Sequence, residues 1–566
     1  MNTQTWDSIT LEILWRRLIS IANQAASTIL RTSFSTVVSS SHDFRYVLTD
    51  ADGASLAQSH LGEVMFVTTF PDCVKNILAE VGIEEIKPGD VFITNDPWLA
   101  AGHLPDIHVA TPVFHRGRLV AFSGSVIHVS DIGGRFGSHD ATEVYEEGIC
   151  LPVLRLFEGG SLNEDLLKIL RANVRVWELV HGDVMAQVAG NAVGARLLVD
   201  FLNEYEIDDL GLLSATLQAR VEAAMRAKIA ALPDGEFSHQ TLAEFGLGND
   251  DILINTVLTI AEDSMTVDYA GSSPQTARAG VNCVLNCTRS LTLYPIQALL
   301  LPDVPANEGA TRPIKITAPP GSVMNALRPA PVDIRAMITH LLPDHILALL
   351  APLAPDRAPA ASGIRWMLLA DRQDSRTQKR TIASFFQAGG LGAAHNRDGP
   401  NAKFFPIKAY HTSVERFERE IGLIVEEKAL RTDSGGPGRQ RGGLGQRIGL
   451  LNQTEDAIQF TFYRPLMRRP ADGYLEGAAG ALGRISVDEQ PLSSAVMTIG
   501  PGSRAVLETP GGGGFGPVTD RLRECVLEDV RQGYVSQEAA AADYGVSAEA
   551  DESLGADTRP SAEPVS

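Results

Sequence analysis

The sequence predicts a multidomain α+β protein in which helices and antiparallel β-hairpins and sheets are mixed and the C-terminal half is β-rich. Three observations predict this. Apolar residues recur at helical spacing at the start of the chain and again between Asn163 and Leu232. β-Rich runs come in pairs joined by short polar breaks, the pattern of hairpins. From Ile364 to Glu508 the helical period gives way to β-like stretches and glycine clusters. A chain of 566 residues has room for about three or four domains. The expected divisions are an α+β unit over 1–160, a helical segment over 161–235, an α+β middle unit over 236–355 and a β-rich unit over 356–548. The small, polar, acidic stretch over 549–566 is expected to be a disordered tail.

The elements follow in order. Asp7 or Ser8 caps a helix running to about Leu30, with Leu11, Leu14, Leu18, Ile21 and Ala25 on one face. Tyr46 and Leu48 enter a hairpin at the turn Asp50-Ala51-Asp52-Gly53. A second amphipathic helix spans 64–82, carrying Thr68, Phe70 and Val74. After the helical stretch that ends at Leu232, Ile252 to Ile260 and Met265 to Tyr269 form a hairpin about Glu262-Asp263-Ser264. Helices follow at Thr288–Leu301 and His340–Leu353, and the Pro-rich PLAPDRAPAASG is a joint between domains.

Composition excludes some functions. A net charge of −21 argues against nucleic acid as a partner, because phosphate binding needs clustered Lys and Arg. No apolar run reaches the ~20 residues of a membrane span. The start, MNTQTWDSITLEI, has neither a basic region nor an apolar signal core, so the expected location is cytoplasmic. The five cysteines are scattered, and Cys283 and Cys287 read as buried small residues.

Chemistry concentrates between Gly89 and Gly134, in GDVFITNDPWLAAGHLPDIHVATPVFHRGRLVAFSGSVIHVSDIGG. His103 and Asp106 lie three residues apart in a loop closed by Pro105. Two β-rich runs, Ile107 to Phe114 and Leu119 to Val129, flank the break His115-Arg116-Gly117. If the chain reverses near Arg116, antiparallel partners have numbers summing to about 232, and His128 returns beside the loop of His103 and Asp106. Two imidazoles and a carboxylate meeting there suit Zn²⁺, Mn²⁺ or Fe²⁺. The plain alternative is that each is an ordinary polar residue at a loop end. Pro112 points to an edge strand or a bulge.

NDPWLAAGHLPD and HVSDIGG resemble the hydantoinase B/oxoprolinase family, whose pattern is close to NDPY-x-G-G-T-H-x-P-D. Trp98 stands for the usual Tyr and Gly102 for the usual Thr. Further likenesses follow in family order: EGICLP at Glu147–Pro152, YAGSSPQTARAGVN, VPANEGATRPIKITAPPGS, SGGPGRQRGG and PGGGG. The resemblance implies metal ligands at His103, Asp106 and His128. It adds Asp43, from a D-F-S-type motif read here as Asp43-Phe44-Arg45, as a fourth, with a capping or turn aspartate as the alternative. Within the likeness, Asp131 and Glu147 are candidate acid/base groups, or partners for the second nitrogen of a metal-bound histidine. Gly133, Gly134 and Gly137 allow a loop to approach a substrate closely. Arg312 and Arg335 are candidates for binding an anionic group.

By the same resemblance, this chain works beside a hydantoinase A-type ATP-using subunit in a hetero-oligomer. The implied activity is ATP-dependent hydrolysis of a cyclic amide such as a hydantoin, oxoproline or lactam ring. The resemblance also implies a divalent ion (Zn, Mn or Fe) here and ATP used by the partner. Two other readings remain: a subunit of an acetone- or acetophenone-type carboxylase, and a non-catalytic scaffold. The glycine clusters at 433–445 and 509–516 do not fit the strand–GxxxxGK[ST]–helix pattern of a P-loop. They read as tight turns at a surface, with Arg439 and Arg441 leaving an anion site as the other option.

Overall fold

The computed structural model describes residues 6–135, 140–244, 251–407, 409–492 and 496–547. The expected tail over 549–566, and Gly137, lie outside the described residues. Helix α1 (Ser8–Thr32) starts where the Asp7 carboxylate accepts hydrogen bonds from the Ile9 and Thr10 amides, and its leucine-rich face is buried. After the short α2 (Thr36–Ser39), seven strands form an antiparallel sheet: β1 (Phe44–Asp50), β2 (Ser55–Gln58), β3 (Val91–Thr94), β4 (Asp106–His115), β5 (Arg118–His128), β6 (Leu154–Glu158) and β7 (Ser161–Leu162). Their order is β2-β1-β5-β4-β3-β6-β7, so the β4–β5 hairpin lies in the middle of the sheet.

The hairpin closes on Arg116 and Gly117, both at positive φ (49° and 77°), as a two-residue turn matching the strand twist requires. The register places Asp106 directly opposite His128, two residues along from the expected 104. A bulge between Val113 and Phe114 shifts the pairing. Pro112 lies just before that bulge, and β3 pairs with β4 only over His108–Ala110, so the proline is beyond the end of β3.

Helices cover both faces of this sheet. On one face α3 (Phe66–Val81) sets Phe70 over Gly124, where an added Cβ would meet the ring at 1.9 Å. The other face is covered by α5 (Trp177–Glu204), which follows α4 (Glu164–Asn173) and precedes α6 (Gly211–Ile229). The buried face of α5 carries polar groups. Gln187 donates to the Ile107 and Ser125 carbonyls, and Asn191 donates to the Val109 carbonyl. These bonds tie the helix to both strands of the hairpin and satisfy carbonyls that water cannot reach.

A four-stranded sheet, β11-β10-β9-β8, follows: β8 (Gly235–Ala243), β9 (Ile252–Ala261), β10 (Ser264–Asp268) and β11 (Ile314–Thr317). β9 and β10 make the expected hairpin, and β11 joins β10 in parallel. The helices α7 (Leu285–Leu300), α8 (Ala336–Thr339) and α9 (Leu342–Leu350) pack beside it. The segment Ala336–Leu353 is apolar and long enough to cross a membrane by composition, but 67% of it is buried inside the protein. The largest hydrophobic core draws on buried residues between Leu11 and Phe404.

A second core belongs to two C-terminal sheets. Their strands are β12 (Trp366–Gln373), β13 (Arg380–Gln387), β14 (Leu423–Leu430), β15 (Gln446–Asn452), β16 (Ile458–Tyr463), β17 (Arg484–Val487), β18 (Gln490–Pro491), β19 (Val496–Ile499) and β20 (Arg504–Glu508). The sheet orders are β13-β12-β16-β19 and β14-β15-β20-β17-β18.

The glycine clusters are not tight turns. Apart from Gly516, none of their glycines has positive φ. Instead, extended segments pack backbone against backbone: Gly436 N donates to Gly512 O, Gly512 N to Gly443 O, Gly443 N to Leu391 O and Gly514 N to Ala478 O, all within 3.0 Å. A Cβ on Gly511 would lie 1.7 Å from Ser434 O, and one on Gly512 2.0 Å from Leu391 O. The glycines are there because the neighbouring chains leave no space for a side chain. Arg441 is buried in the same region and is held by Asp529 and the Gly442 carbonyl.

Candidate metal centre

The site is built by the middle of the first sheet and closed by segments far away in sequence. Asp106 begins β4 and His128 ends β5, opposite one another on the side covered by α3. His103 is brought in by the loop before β4. Asn95 shapes that loop: its side-chain amide donates to the Leu104 and Ile149 carbonyls, and its oxygen accepts the Leu151 amide. Gly102, at φ 95°, leaves room for Arg335, because a Cβ there would lie 3.0 Å from Arg335 Nε.

One ligand atom each from His103, Asp106 and His128 lies within 4.8 Å of the others. The two imidazole centroids are 5.2 Å apart, and His103 Nε2 is 3.0 Å from Asp106 Oδ2. Asp43 lines the same cavity, just before β1, and its backbone carbonyl accepts the His128 amide at 3.1 Å. Glu63, Asp333, Arg335, His340 and Arg365 also line it. The space is about 20 Å³, enough for a single ion or water.

Electrostatics suit a cation. His103 Nδ1 is 3.0 Å from the Asp333 carbonyl oxygen, so its proton belongs there and Nε2 presents a lone pair. That lone pair faces a carboxylate oxygen at 3.0 Å with no aligned hydrogen bond between them. Asp106 Oδ1 and His128 Nδ1 are likewise buried without a hydrogen-bond partner among the described residues. Burial holds both imidazoles below their usual pKa, which keeps them neutral, the form that binds metals. Burial raises Asp43 and Asp106, opposed at Asp43 first by His128 and at Asp106 first by Arg335. Four carboxylates (Asp43, Glu63, Asp106 and Asp333) and two guanidiniums (Arg335 and Arg365) line the cavity. Fully ionised they leave two negative charges, which one divalent ion balances. The donor set therefore fits a divalent ion bound by nitrogen and oxygen.

The remaining sequence candidates sit close by. Glu147 and Asp131 line an adjoining cavity of about 40 Å³ that shares His128 and Asp333 with the first. The Glu147 carboxyl accepts the Val332 and Asp333 amides at 2.8 to 2.9 Å. Burial, with Asp333 beside it, pushes its pKa up to about 8. Asp131 is held by Arg175 at 2.6 Å and by the Gly133 amide. Both candidate anion-binding arginines are engaged inside the protein: Arg335 pairs with the Asp106 carboxylate at 2.6 Å and Arg312 with Glu222 at 3.2 Å. Sequence reasoning missed Glu63, Asp333, His340 and Arg365. The signal for Asp333 was a charged pair set in the apolar run Val332-Asp333-Ile334-Arg335.

The fold and this site define a protein class in which a metal-suited N/O pocket is built on a central hairpin. The hydantoinase B/oxoprolinase model matches residues 7–518, and the chain belongs to that family. The beta subunit of caprolactamase from Pseudomonas jessenii is 30% identical over 575 residues, with 96% of this chain and 97% of the relative covered. The B component of a putative D-/L-hydantoinase from Pseudomonas sp. (strain NS671) is 28% identical over 570 residues, covering 95% of each. The crystal structure of the ATP-dependent caprolactamase from Pseudomonas jessenii superposes with a TM-score of 0.88 at 26% identity, over 96% of this chain and 97% of that one. A nucleotide-free acetone carboxylase shares the fold, with a TM-score of 0.84 at 19% identity over 95% of this chain and 80% of its own.

Proposed function

We propose that this chain is the metal-bearing subunit of an ATP-dependent cyclic amidase and acts with a hydantoinase A-type partner. One observation carries the reading: ligand atoms of His103, Asp106 and His128 lie within 4.8 Å of one another, and His103 Nε2, Asp106 Oδ1 and His128 Nδ1 are buried with no hydrogen-bond partner among the described residues. Both relatives are named as one component of a larger enzyme, which supports a partner, and their cyclic substrates support the reaction class.

Resonance makes an amide carbon a poor electrophile. Phosphorylation of the amide oxygen by the partner, from ATP, removes that stabilisation. Water then adds to the carbon, the adduct opens at the C–N bond, and phosphate is released to a second water. A divalent ion, when bound, supplies Lewis acidity that lowers the pKa of water towards about 7. His103, Asp106 and His128 would hold it, and Asp43, which lines the same cavity, would be the fourth donor. Asp333 fixes the His103 ring through Nδ1, and Arg335 fixes the Asp106 carboxylate. Glu147 positions the 332–333 backbone that carries this contact, and Asp131 fixes the loop after His128. The Arg365 guanidinium lines the same cavity and adds positive charge to it.

The test is to purify the chain with its large partner, measure bound metal, and follow ATP hydrolysis with hydantoins, lactams and ketones. A ring-opened acid formed with ATP consumption supports the amidase. A new carboxylate that requires bicarbonate identifies a carboxylase instead. Full activity of the complex after His103→Ala and His128→Ala identifies a scaffold.

A further inference from the structure

The lining of the metal cavity is of two kinds. Imidazole, carboxylate and guanidinium groups make up most of it, and Met65, Phe66, Ala336 and Met367 are its apolar members. The two methionines come from far apart in the chain. Met65 directly precedes α3, and its carbonyl accepts the Ser290 hydroxyl. Met367 is delivered by the alternation of β12. Trp366, Leu368 and Ala370 belong to the second core, whereas Met367 joins the first core and, with Arg365, lines the cavity.

At about 20 Å³ the cavity holds one ion or water, so a ring with its amide cannot enter unless part of the wall moves. Several lining groups are tied down. His103 is held at the Asp333 carbonyl, and Arg335 at Asp106 and the Ala101 carbonyl. Ala336 has no side chain to swing, and Phe66 is a rigid ring 1% exposed in the main core. Met65 and Met367, each 6% exposed, are different. An unbranched thioether turns about three bonds and folds aside without breaking a hydrogen bond. The space they yield is apolar at the methionines and polar at His103, Asp106 and His128, which matches a molecule with a methylene arc and an amide.

We propose that Met65 and Met367 are the movable wall against which the methylenes of the cyclic amide lie, and that the room they yield sets the largest ring the site accepts. The assignment rests on the cyclic amidase reading for its ligand and on the lining of the metal cavity for its place. An apolar pocket discriminates ~10-fold or more for one methylene, so small changes in this wall are expected to shift the choice of ring.

Two measurements test it. In the first, the full chain is loaded with Co²⁺, its metal content is checked, and acetate and cyclohexanecarboxylate are titrated while the visible bands of the ion are followed. The readout is the ratio of the two affinities. It is expected to move ~10-fold or more towards the larger acid in Met367→Ala and in Met65→Ala. In Met367→Ile, which keeps the volume in a stiffer, β-branched side chain suited to a strand, it is expected to move ~10-fold towards acetate. In the second, the complex with the partner is assayed with 2-pyrrolidone, δ-valerolactam and ε-caprolactam, and kcat/KM of Met367→Ala is expected to shift towards the larger rings. An unchanged ratio in all three variants, exclusion of the larger acid from every one of them, or an unaltered ring preference in a complex that opens lactams would overturn the wall. Failure of the wild type to take up Co²⁺ would overturn it together with the metal centre. If the acids behave as expected but the wild-type complex opens no cyclic amide, the amidase reading fails while the wall stands.

Discussion

His103 Nε2 and Asp106 Oδ2 lie 3.0 Å apart, and the contact of His103 Nδ1 with the Asp333 carbonyl makes both of them acceptors. Two buried lone pairs at that distance repel unless a cation or a proton stands between them. The imidazole is held neutral by burial, with Arg335 adding to the effect, so without a metal ion the bridging proton belongs to the Asp106 carboxyl, which burial raises, and a divalent ion takes that proton's place. The expected outcome is about one divalent ion per chain in protein purified without chelator. His103→Ala or His128→Ala is expected to reduce this to about a tenth or less. Elemental analysis of the wild type and both variants checks it, and equal metal content in all three would refute the site.

Glu147 does not line the His103 cavity but holds the backbone behind it. Its carboxyl accepts the Val332 and Asp333 amides, and that stretch presents the carbonyl to His103. Removing such a partner typically costs 10–100-fold in metal affinity. Glu147→Gln sets an N–H against the Val332 amide that Oε2 accepts, so it is expected to weaken metal binding by up to roughly that factor while the ligands stay in place. Competition with a coloured chelator gives the affinity. An unchanged value, with the variant folded, removes Glu147 from the positioning role.

The core of the site was legible because it is local. A two-residue turn at Arg116-Gly117 fixes the hairpin, and hairpin register alone brings His128 to Asp106. The bulge at Val113/Phe114 and the turn shifted the pairing by two positions without changing which residues meet. Asp43 came from resemblance, and the structure sets it in the same cavity through the pairing of β1 with β5. The closing wall was not legible. Asp333 and Arg365 arrive from more than 200 residues beyond His128, and no periodicity in a sequence records such a contact. The polar face of α5 was equally hidden, because Gln187 and Asn191 are buried by hydrogen bonding rather than by hydrophobicity. The glycine clusters misled because glycine serves both turns and close backbone approach.

Those clusters give a sharp stability test. At Gly512 an added Cβ falls 2.0 Å from Leu391 O, a backbone atom fixed by its own hydrogen bond to Gly443. Gly512→Ala is therefore expected to cost more than ~4 kcal/mol, or to prevent soluble expression. Gly502→Ala is the control. Its φ is 80°, but a Cβ there meets nothing within 4 Å, so the expected cost is about 1 kcal/mol. Denaturant midpoints of the two variants check the contrast, and similar small losses would mean that the glycine bundle is loosely packed.

Asp344 predicts a pH dependence. Its carboxyl is raised from the usual 3.8 to about 7 by burial. Between those values the folded protein keeps a proton that the unfolded chain releases, so this group's contribution is complete below about pH 3.8 and is lost as pH rises towards 7. Asp344→Asn cannot ionise. Its melting temperature relative to wild type is expected to be highest above pH 7 and to fall as pH drops towards 4. A difference that does not vary with pH rules out the proposed ionisation.

Arg335 offers the last test, because its charge is buried with that of Asp106. Nε donates to the Ala101 carbonyl at 3.1 Å and Nη2 to Asp106 Oδ2 at 2.6 Å, from a side chain 3% exposed. Arg335→Met keeps much of the volume but strands the carboxylate. Breaking a buried pair in this way costs about 3–5 kcal/mol. In metal-free protein nothing else compensates Asp106 fully, so the loss is expected at that size. With a divalent ion bound, the ion takes over much of the pairing, and the loss is expected to shrink. Chemical denaturation of Arg335→Met with EDTA and with added Zn²⁺ or Mn²⁺ measures both. Equal losses in the two conditions would show that Asp106 does not meet the ion.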